Sequence, residues 1–434
     1  MNALEHVLPP SAEATPEGHL TIGGCDLVRL AEEYGTPLAI FDEGLLRATA
    51  RAYRDAFAAH SPNVDVFYAS KAYFGMAMLK IAAEEGLGVD VASGGELVAA
   101  VRAGFPPQRI ELHGNNKDAS EITAALDAGV GMVIVDSFDE ITLLDRICRE
   151  RGVSQSVLIR VTPGVKPSTH AFISTGQLDS KFGFSIESGA ASDAVQACRD
   201  AQGIDLRGLH CHIGSQIFEL GSYQAAAEIV ADFVADVGFA DLTVMNMGGG
   251  LGVAYTQDQA PPTIERFADV VMEAVAKEWA RIGAPMPRVQ VEPGRSMVAR
   301  AGATVYRVGT VKDIPGVRTY VAVDGGMSDL LRPMLYGSVY SPLLANKAGQ
   351  EATGVVRIVG KHCESGDILV QEAHLPSVEV GDLVCLPAAG AYGISMASNY
   401  NGVTRPAVVF VDNGTARLVT RRETHDDLFA REVS

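Results

Sequence analysis

A lysine, Lys71, stands directly after the β-rich run VDVFYAS (64–70) in this chain of 434 residues. A lysine kept from water gives up its proton more readily and becomes a nucleophile toward an aldehyde. Much further on come the triple glycine Gly248-Gly249-Gly250 and the turn Glu292-Pro293-Gly294-Arg295. Small residues let backbone N–H groups approach phosphate oxygens closely. The two features together suit a phosphate-bearing aldehyde cofactor held as a Schiff base, and pyridoxal 5′-phosphate needs both. Other polar residues mark similar runs: Asp90, His113, Asp136, Arg160, His210 and His212. Singly, each has a plainer explanation as a core histidine, a surface lysine or a turn glycine. Their recurrence at equivalent places carries the functional reading.

That recurrence has meaning only if the elements between these residues bring them together. Strand-like runs at 64–70, 88–93, 109–114, 132–137, 156–162, 205–215, 242–248 and 288–294 alternate with stretches of helical period, such as EITAALDAGV and FADVVMEAVAKEWARIG. Several of these stretches end in glycine, a helix stop. Eight strands, with helical material after the first seven, predict a (β/α)8 barrel over 46–303. Chemistry then belongs at the C-terminal ends of its strands. Short β runs from 304 to 434 predict a separate β domain, joined by the N-terminal segment 1–45. The fold class is α/β plus β.

Composition narrows the function classes. At 47% hydrophobic and 20% charged residues, the chain is expected to fold rather than remain disordered. It contains no apolar run long enough for a transmembrane helix, and its N-terminus lacks the pattern of a signal peptide. A formal net charge of −18 argues against nucleic acid and anionic membranes as partners. The pair Arg421-Arg422, flanked by Glu423, reads as a solvated strand end. Six scattered cysteines with no CxxC and no zinc-like spacing predict neither a disulfide scaffold nor a metal site. They suit a reducing, cytoplasmic compartment.

Longer motifs span nearly the whole chain in order: YASKAY (68–73), GLGVDVASGGEL (86–97), HGNNK (113–117), TGQLDSKFGF (175–184), GLHCHIGSQI (208–217), MNMGGGLGVAY (245–255), EPGRS (292–296), VDGGMSDLLRPMLYG (323–337), GKHCESGD (360–367), GAYGISMASNYN (390–401) and RRET (421–424). With these the chain resembles the diaminopimelate decarboxylases, barrel-type pyridoxal-phosphate enzymes related to alanine racemase and ornithine decarboxylase. The resemblance implies that Lys71 bonds the cofactor, that His212 lies flat on its ring and that Asp90 supports it. It places the phosphate near Gly214, Ser215, Gly249, Gly250 and the stretch Glu292, Pro293, Gly294 and Arg295, with Tyr392 also touching it. Glu292 is implied at the pyridine nitrogen, where a carboxylate favours the protonated ring and so strengthens the electron sink. The related racemases carry arginine there. Without the family context, Glu292 would read as a helix cap before a Pro-Gly turn.

The same resemblance makes Cys363 the acid that protonates Cα after CO2 leaves, whereas a free cysteine is ordinarily a small core hydrophobe. It assigns substrate binding to Arg295, Arg332, Tyr336, Glu364, Ser365 and Tyr392. Arginine forks suit a distal carboxylate and an acidic side chain a distal ammonium. Leu330-Leu331 and Tyr73 depart from the usual pattern near the expected pocket. The implied reaction converts meso-2,6-diaminopimelate to L-lysine and CO2, the last step of lysine biosynthesis, in a homodimer with shared active sites. Two alternatives stay open at this point. One is decarboxylation of another basic or carrier-bound amino acid, of the ornithine, arginine or carboxynorspermidine type. The other is a non-catalytic pyridoxal-phosphate binder.

Overall fold

A computed structural model describes residues 4–165 and 180–433, so residues 175–179 of the TGQLDSKFGF motif lie outside the described residues. The chain forms two compact units. One comprises Thr49–Gly252 and Pro261–Gly294; the other comprises Met1–Ala48, Val253–Ala260 and Arg295–Ser434.

The first unit is the barrel. Its strands are β1 (Val64–Ala69), β2 (Gly88–Val91), β3 (Ile110–Leu112), β4 (Met132–Val135), β5 (Gln155–Thr162), β6 (Ile204–His210), β7 (Val244–Asn246) and β8 (Arg288–Val291). Each pairs in parallel with the next, and β8 returns to β1 through Val289 opposite Val64. Helices α1 (Met76–Glu84), α2 (Gly94–Ala103), α3 (Ala119–Ala128), α4 (Phe138–Arg151), α5 (Ala190–Asp200), α6 (Gly221–Asp236) and α7 (Ile264–Arg281) follow the first seven strands. Parallel strands covered on both faces are apolar throughout, as the fully buried Val133, Ile134 and Val135 illustrate.

Local chemistry sets the helix ends. Ser93, Asp118, Ser137 and Thr263 accept backbone N–H groups at the starts of α2, α3, α4 and α7. Gly104, Gly129 and Gly152 end α2, α3 and α4 in the left-handed conformation that glycine adopts most easily. Phe267 of α7 meets Tyr53, Phe57 and Tyr223 edge-on at 5.0–6.5 Å between ring centres, which seals one side of the helical layer.

The second unit is built on a β sheet. Its strands β9 (Gly302–Ile314), β10 (Arg318–Val323), β11 (Gly354–Val359), β12 (Ile368–Leu375), β13 (Leu383–Pro387), β14 (Ala407–Asp412) and β15 (Thr415–Thr420) are joined by the earlier strand Leu38–Asp42. The sheet order is β12-β11-β10-β9, then Leu38–Asp42, then β14-β15, with β13 also paired to β9. Leu20, Ile22, Leu27, Leu38, Val305, Leu383 and Val409 pack into one core. Arg422 corrects the reading of a solvated strand end. Its guanidinium is half-buried and donates to the carbonyls of Pro37 at 2.6 Å and Tyr34 at 3.4 Å. Tyr34 ends the helix Leu27–Tyr34, and a helix C-terminus draws a cation.

A buried ion pair ties down the loop after β3. Lys117 Nζ donates to the carbonyls of Gly114 and Ile134 and to Glu140 Oε1, each at 2.7 Å. Glu140 Oε2 accepts the Asp136 N–H, so the loops after β3 and β4 share one anchor. Lys117→Met leaves Glu140 buried without its cation. The expected cost is about 3–5 kcal/mol, seen as a lower urea midpoint for the barrel. An unchanged midpoint would show that the pair anchors nothing.

Candidate active site

β1 runs into a tight turn, Ser70–Ala72, that carries Lys71. The Tyr68 hydroxyl clasps this turn. It accepts the Tyr73 N–H at 3.1 Å and donates to the Tyr73 carbonyl at 2.9 Å. Tyr73, unusual in the sequence, is a buried core residue. Lys71 Nζ lies 3.1 Å from Asp90 Oδ2 on β2.

Glu292 directly follows β8 and is buried. Burial alone would push its pKa up, but His210 and His113 outweigh it and hold the carboxyl well below the ordinary range. Glu292 Oε2 lies 3.1 Å from His210 Nε2, and Oε1 lies 3.1 Å from His113 Nε2. Asn246 of β7 donates to Oε1 at 2.7 Å. Burial lowers the pKa of His210, and Glu292 beside it opposes that shift. For His113, burial is outweighed by Asp90 and Glu292, and its pKa is pushed up to about 10. The result is a buried anion beside a buried cation at the C-terminal end of the barrel.

His212 completes this side. Its Nδ1 accepts the Gly249 N–H at 3.2 Å. Burial, Lys71 and Arg160 drive its pKa well down, so the ring is neutral. The Gly248 N–H donates to Asn246 Oδ1 at 2.8 Å, and the Glu292 N–H to the Gly248 carbonyl at 2.9 Å. A Cβ on Gly249 would stand 2.1 Å from the Glu292 carbonyl oxygen, and one on Gly250 2.5 Å from that of Gly214. The loops after β6, β7 and β8 therefore meet main chain to main chain. Only glycine permits so close an approach of main chain to main chain. With a lysine for an aldehyde and a buried anion for a ring nitrogen, the donor set fits pyridoxal 5′-phosphate.

The second unit holds the remaining expected residues: Arg295, Arg332, Tyr336, Cys363, Glu364, Ser365 and Tyr392. Arg295 and Arg332 are both buried among tyrosines. Arg295 donates to the Tyr255 hydroxyl at 2.6 Å, and its guanidinium lies 5.0 Å from the Tyr392 ring centre. The Arg332 guanidinium lies 5.6 Å from the rings of Tyr336 and Tyr392 and 5.7 Å from that of Tyr255. Its buried Nε has no hydrogen-bond partner among the described residues. A buried guanidinium with an unanswered N–H is suited to an anion.

Cys363 is exposed, whereas the other five cysteines are buried. Its N–H donates to Asn401 Oδ1 at 3.0 Å, and Glu364 and Ser365 are exposed beside it. Asp367 pins this loop. Its carboxylate accepts the N–H groups of Met327 at 2.7 Å and His362 at 3.0 Å, and contacts the His362 ring at 2.7 Å. One carboxylate thus joins the Cys363 loop to the stretch leading to Arg332.

Several contributors carry no role in the sequence reading. His113 and His210 stand out there only as polar strand-end residues, and Asn246, Tyr68, Tyr255 and Asp367 receive no assignment. For Asn246 a signal exists, an amide inside the apolar run LTVMNMG. Its partners lie on other strands, which no single stretch reveals.

Comparison with known proteins extends the geometry. Residues 43–299 match the family model described as pyridoxal-dependent decarboxylase, pyridoxal binding domain. The diaminopimelate decarboxylase of Bacillus subtilis is 48% identical over 414 residues, covering 95% of this chain and 94% of that protein. That of Mycobacterium tuberculosis is 45% identical over 449 residues, with both chains fully covered. The crystal structure of a diaminopimelate decarboxylase from M. jannaschii in complex with L-lysine matches with a TM-score of 0.91 at 35% identity, over 98% of each chain. Sequence, architecture and the fit of the barrel to its cofactor agree, and the chain belongs to the diaminopimelate decarboxylase family of pyridoxal-dependent decarboxylases.

Proposed function

We propose that this protein removes one carboxylate of meso-2,6-diaminopimelate as CO2 and yields L-lysine, the closing step of lysine biosynthesis. The observation that carries the reaction type is Glu292, a carboxylate kept ionised while buried. The substrate rests on the full-length similarity to diaminopimelate decarboxylases.

Bound pyridoxal 5′-phosphate supplies an electron sink for the pair left at Cα when CO2 departs. Lys71 would hold the cofactor through its aldehyde carbon, with Asp90 orienting the lysine amine. Gly214, Ser215, Gly249, Gly250, Pro293 and Gly294 would hold the phosphate, assisted by Arg295 and Tyr392. His212 would cover one ring face. Glu292 would place negative charge beside the ring nitrogen and favour its protonated form. Cys363 delivers a proton to Cα. Arg332, Arg295 and Tyr336 bind the distal carboxylate, and Glu364 with Ser365 binds the distal ammonium. The unpaired Nε of buried Arg332 supports that division.

The protein acts as a homodimer in which one chain's Cys363 loop completes the partner's site. Exposure of Cys363, Glu364 and Ser365 supports this reading, because an acid and a specificity pair need enclosure that one chain does not give them.

The direct test is CO2 release from meso-diaminopimelate, with ornithine and arginine as competitors. Release should require added pyridoxal 5′-phosphate, and borohydride should fix the cofactor to Lys71. Glu292→Gln should lower turnover by about 10²–10³-fold at saturating cofactor. Preference for ornithine, or fixation at another lysine, would overturn the assignment. The shared site has its own check, by refolding Lys71→Ala together with Cys363→Ala. Mixed dimers contain one intact site, so random pairing should restore roughly a quarter of wild-type activity. Inactive mixed dimers would contradict sharing.

A further inference from the structure

We propose that His113 is a positioning residue for Glu292: its positive charge, shared among three buried carboxylates, keeps Glu292 anionic and sets the pH range in which the barrel binds its cofactor. The proposal rests on the reading that Glu292 pairs with the ring nitrogen of pyridoxal 5′-phosphate.

The geometry is that of one cation amid several anions. His113 Nε2 lies 3.1 Å from Glu292 Oε1, 3.8 Å from Asp90 Oδ1 and 3.9 Å from Glu111 Oε2. All four side chains are buried. No carboxylate meets the Nε2–H in good hydrogen-bond geometry, so the imidazole serves the three as a charge more than as a directed donor. Buried like charges this close cannot all remain ionised without a counter-charge.

The other groups around the cluster do not replace it. Lys71, from the turn after β1, occupies the other Asp90 oxygen, Oδ2. His210 of β6 lies edge-on to His113, 5.0 Å between ring centres, and burial lowers its pKa, so it holds a proton less firmly than His113. Asn246 of β7 donates to Glu292 and, at 3.2 Å, to Glu111, but carries no charge. Arg160 of β5 lies 3.8 Å from Asp136. Glu111 is where the excess negative charge is relieved. Burial pushes its pKa up to about 7, and its buried Oε1 has no partner among the described residues. His113 stands closer to Glu292 than to Glu111, so Glu292 keeps its charge and Glu111 yields.

Without the imidazolium, the Glu292 pKa rises toward neutrality. A protonated Glu292 cannot pair with a positively charged ring nitrogen, so cofactor affinity should fall as the pH falls. The test titrates pyridoxal 5′-phosphate into apoprotein between about pH 8 and about pH 6, a range that spans the expected titration. Wild type calibrates the cofactor's own titration, and Glu292→Gln calibrates complete loss of the ion pair. His113→Gln keeps a polar side chain and drops the charge. It should lose about tenfold more affinity than wild type across that range, approaching Glu292→Gln at the acid end. His113→Lys restores a cation without the ring and should recover the wild-type profile.

A His113→Gln profile parallel to wild type, even if uniformly weaker, would overturn the proposal. So would a His113→Lys variant that behaves like His113→Gln. If His113→Gln does not fold, His113→Lys decides alone. A folded protein with the wild-type profile supports the charge, and failure to fold shows that ring shape is what matters. Failure of wild type to bind the cofactor would instead refute the reading of the site.

Discussion

A carboxylate that stays ionised while buried is the constraint around which this barrel is arranged. Removing an anion from water costs several kcal/mol, and an isolated buried carboxyl would take up a proton instead. Glu292 escapes this because His113, His210 and Asn246 converge on it from β3, β6 and β7. These strands meet only in a closed cylinder. Barrel closure is therefore a condition for the charge. Asn246 also receives the Gly248 N–H, which ties the glycine loop to the same network. One amide thus joins the buried carboxylate to the glycine loop.

The second unit answers a different problem. Its two buried arginines are held among tyrosines, whose rings offer a cation an attractive face without neutralising it. Of the two, Arg332 keeps a buried Nε without a hydrogen-bond partner among the described residues. Cys363 sits instead on an exposed loop, yet the loop is not loose. Asp367 collects three contacts there and fixes the backbone that presents the thiol. Stable support beneath an accessible group is the arrangement expected of a residue that must meet a substrate.

Much of the barrel was legible because its strands and helices announce themselves locally. Alternating period, caps such as Ser93 and Asp118, and glycine stops at Gly104 and Gly129 are all short-range signals. Lys71 and the triple glycine stand out in their own runs, whereas the reading of Glu292 comes from the resemblance, since its own run looks like a helix cap before a Pro-Gly turn. The partners of Glu292 were not legible. Their roles arise from strands far apart in sequence that register side by side, and local pattern does not encode which polar residue faces which. Arg422 was misread for a related reason: its acceptors, Tyr34 and Pro37, lie nearly four hundred residues earlier in the chain. The Asp367 anchor was hidden as well, since an aspartate in GKHCESGD looks like ordinary turn chemistry until Met327 is placed beside it.

The central claim is that Glu292 is anionic inside the barrel before any ligand arrives. Infrared difference spectroscopy of apoprotein, wild type minus Glu292→Gln, reads this directly at neutral pH. The account predicts loss of a carboxylate band with no loss of a protonated carboxyl band. A protonated carboxyl signal assigned to Glu292 at neutral pH would contradict it.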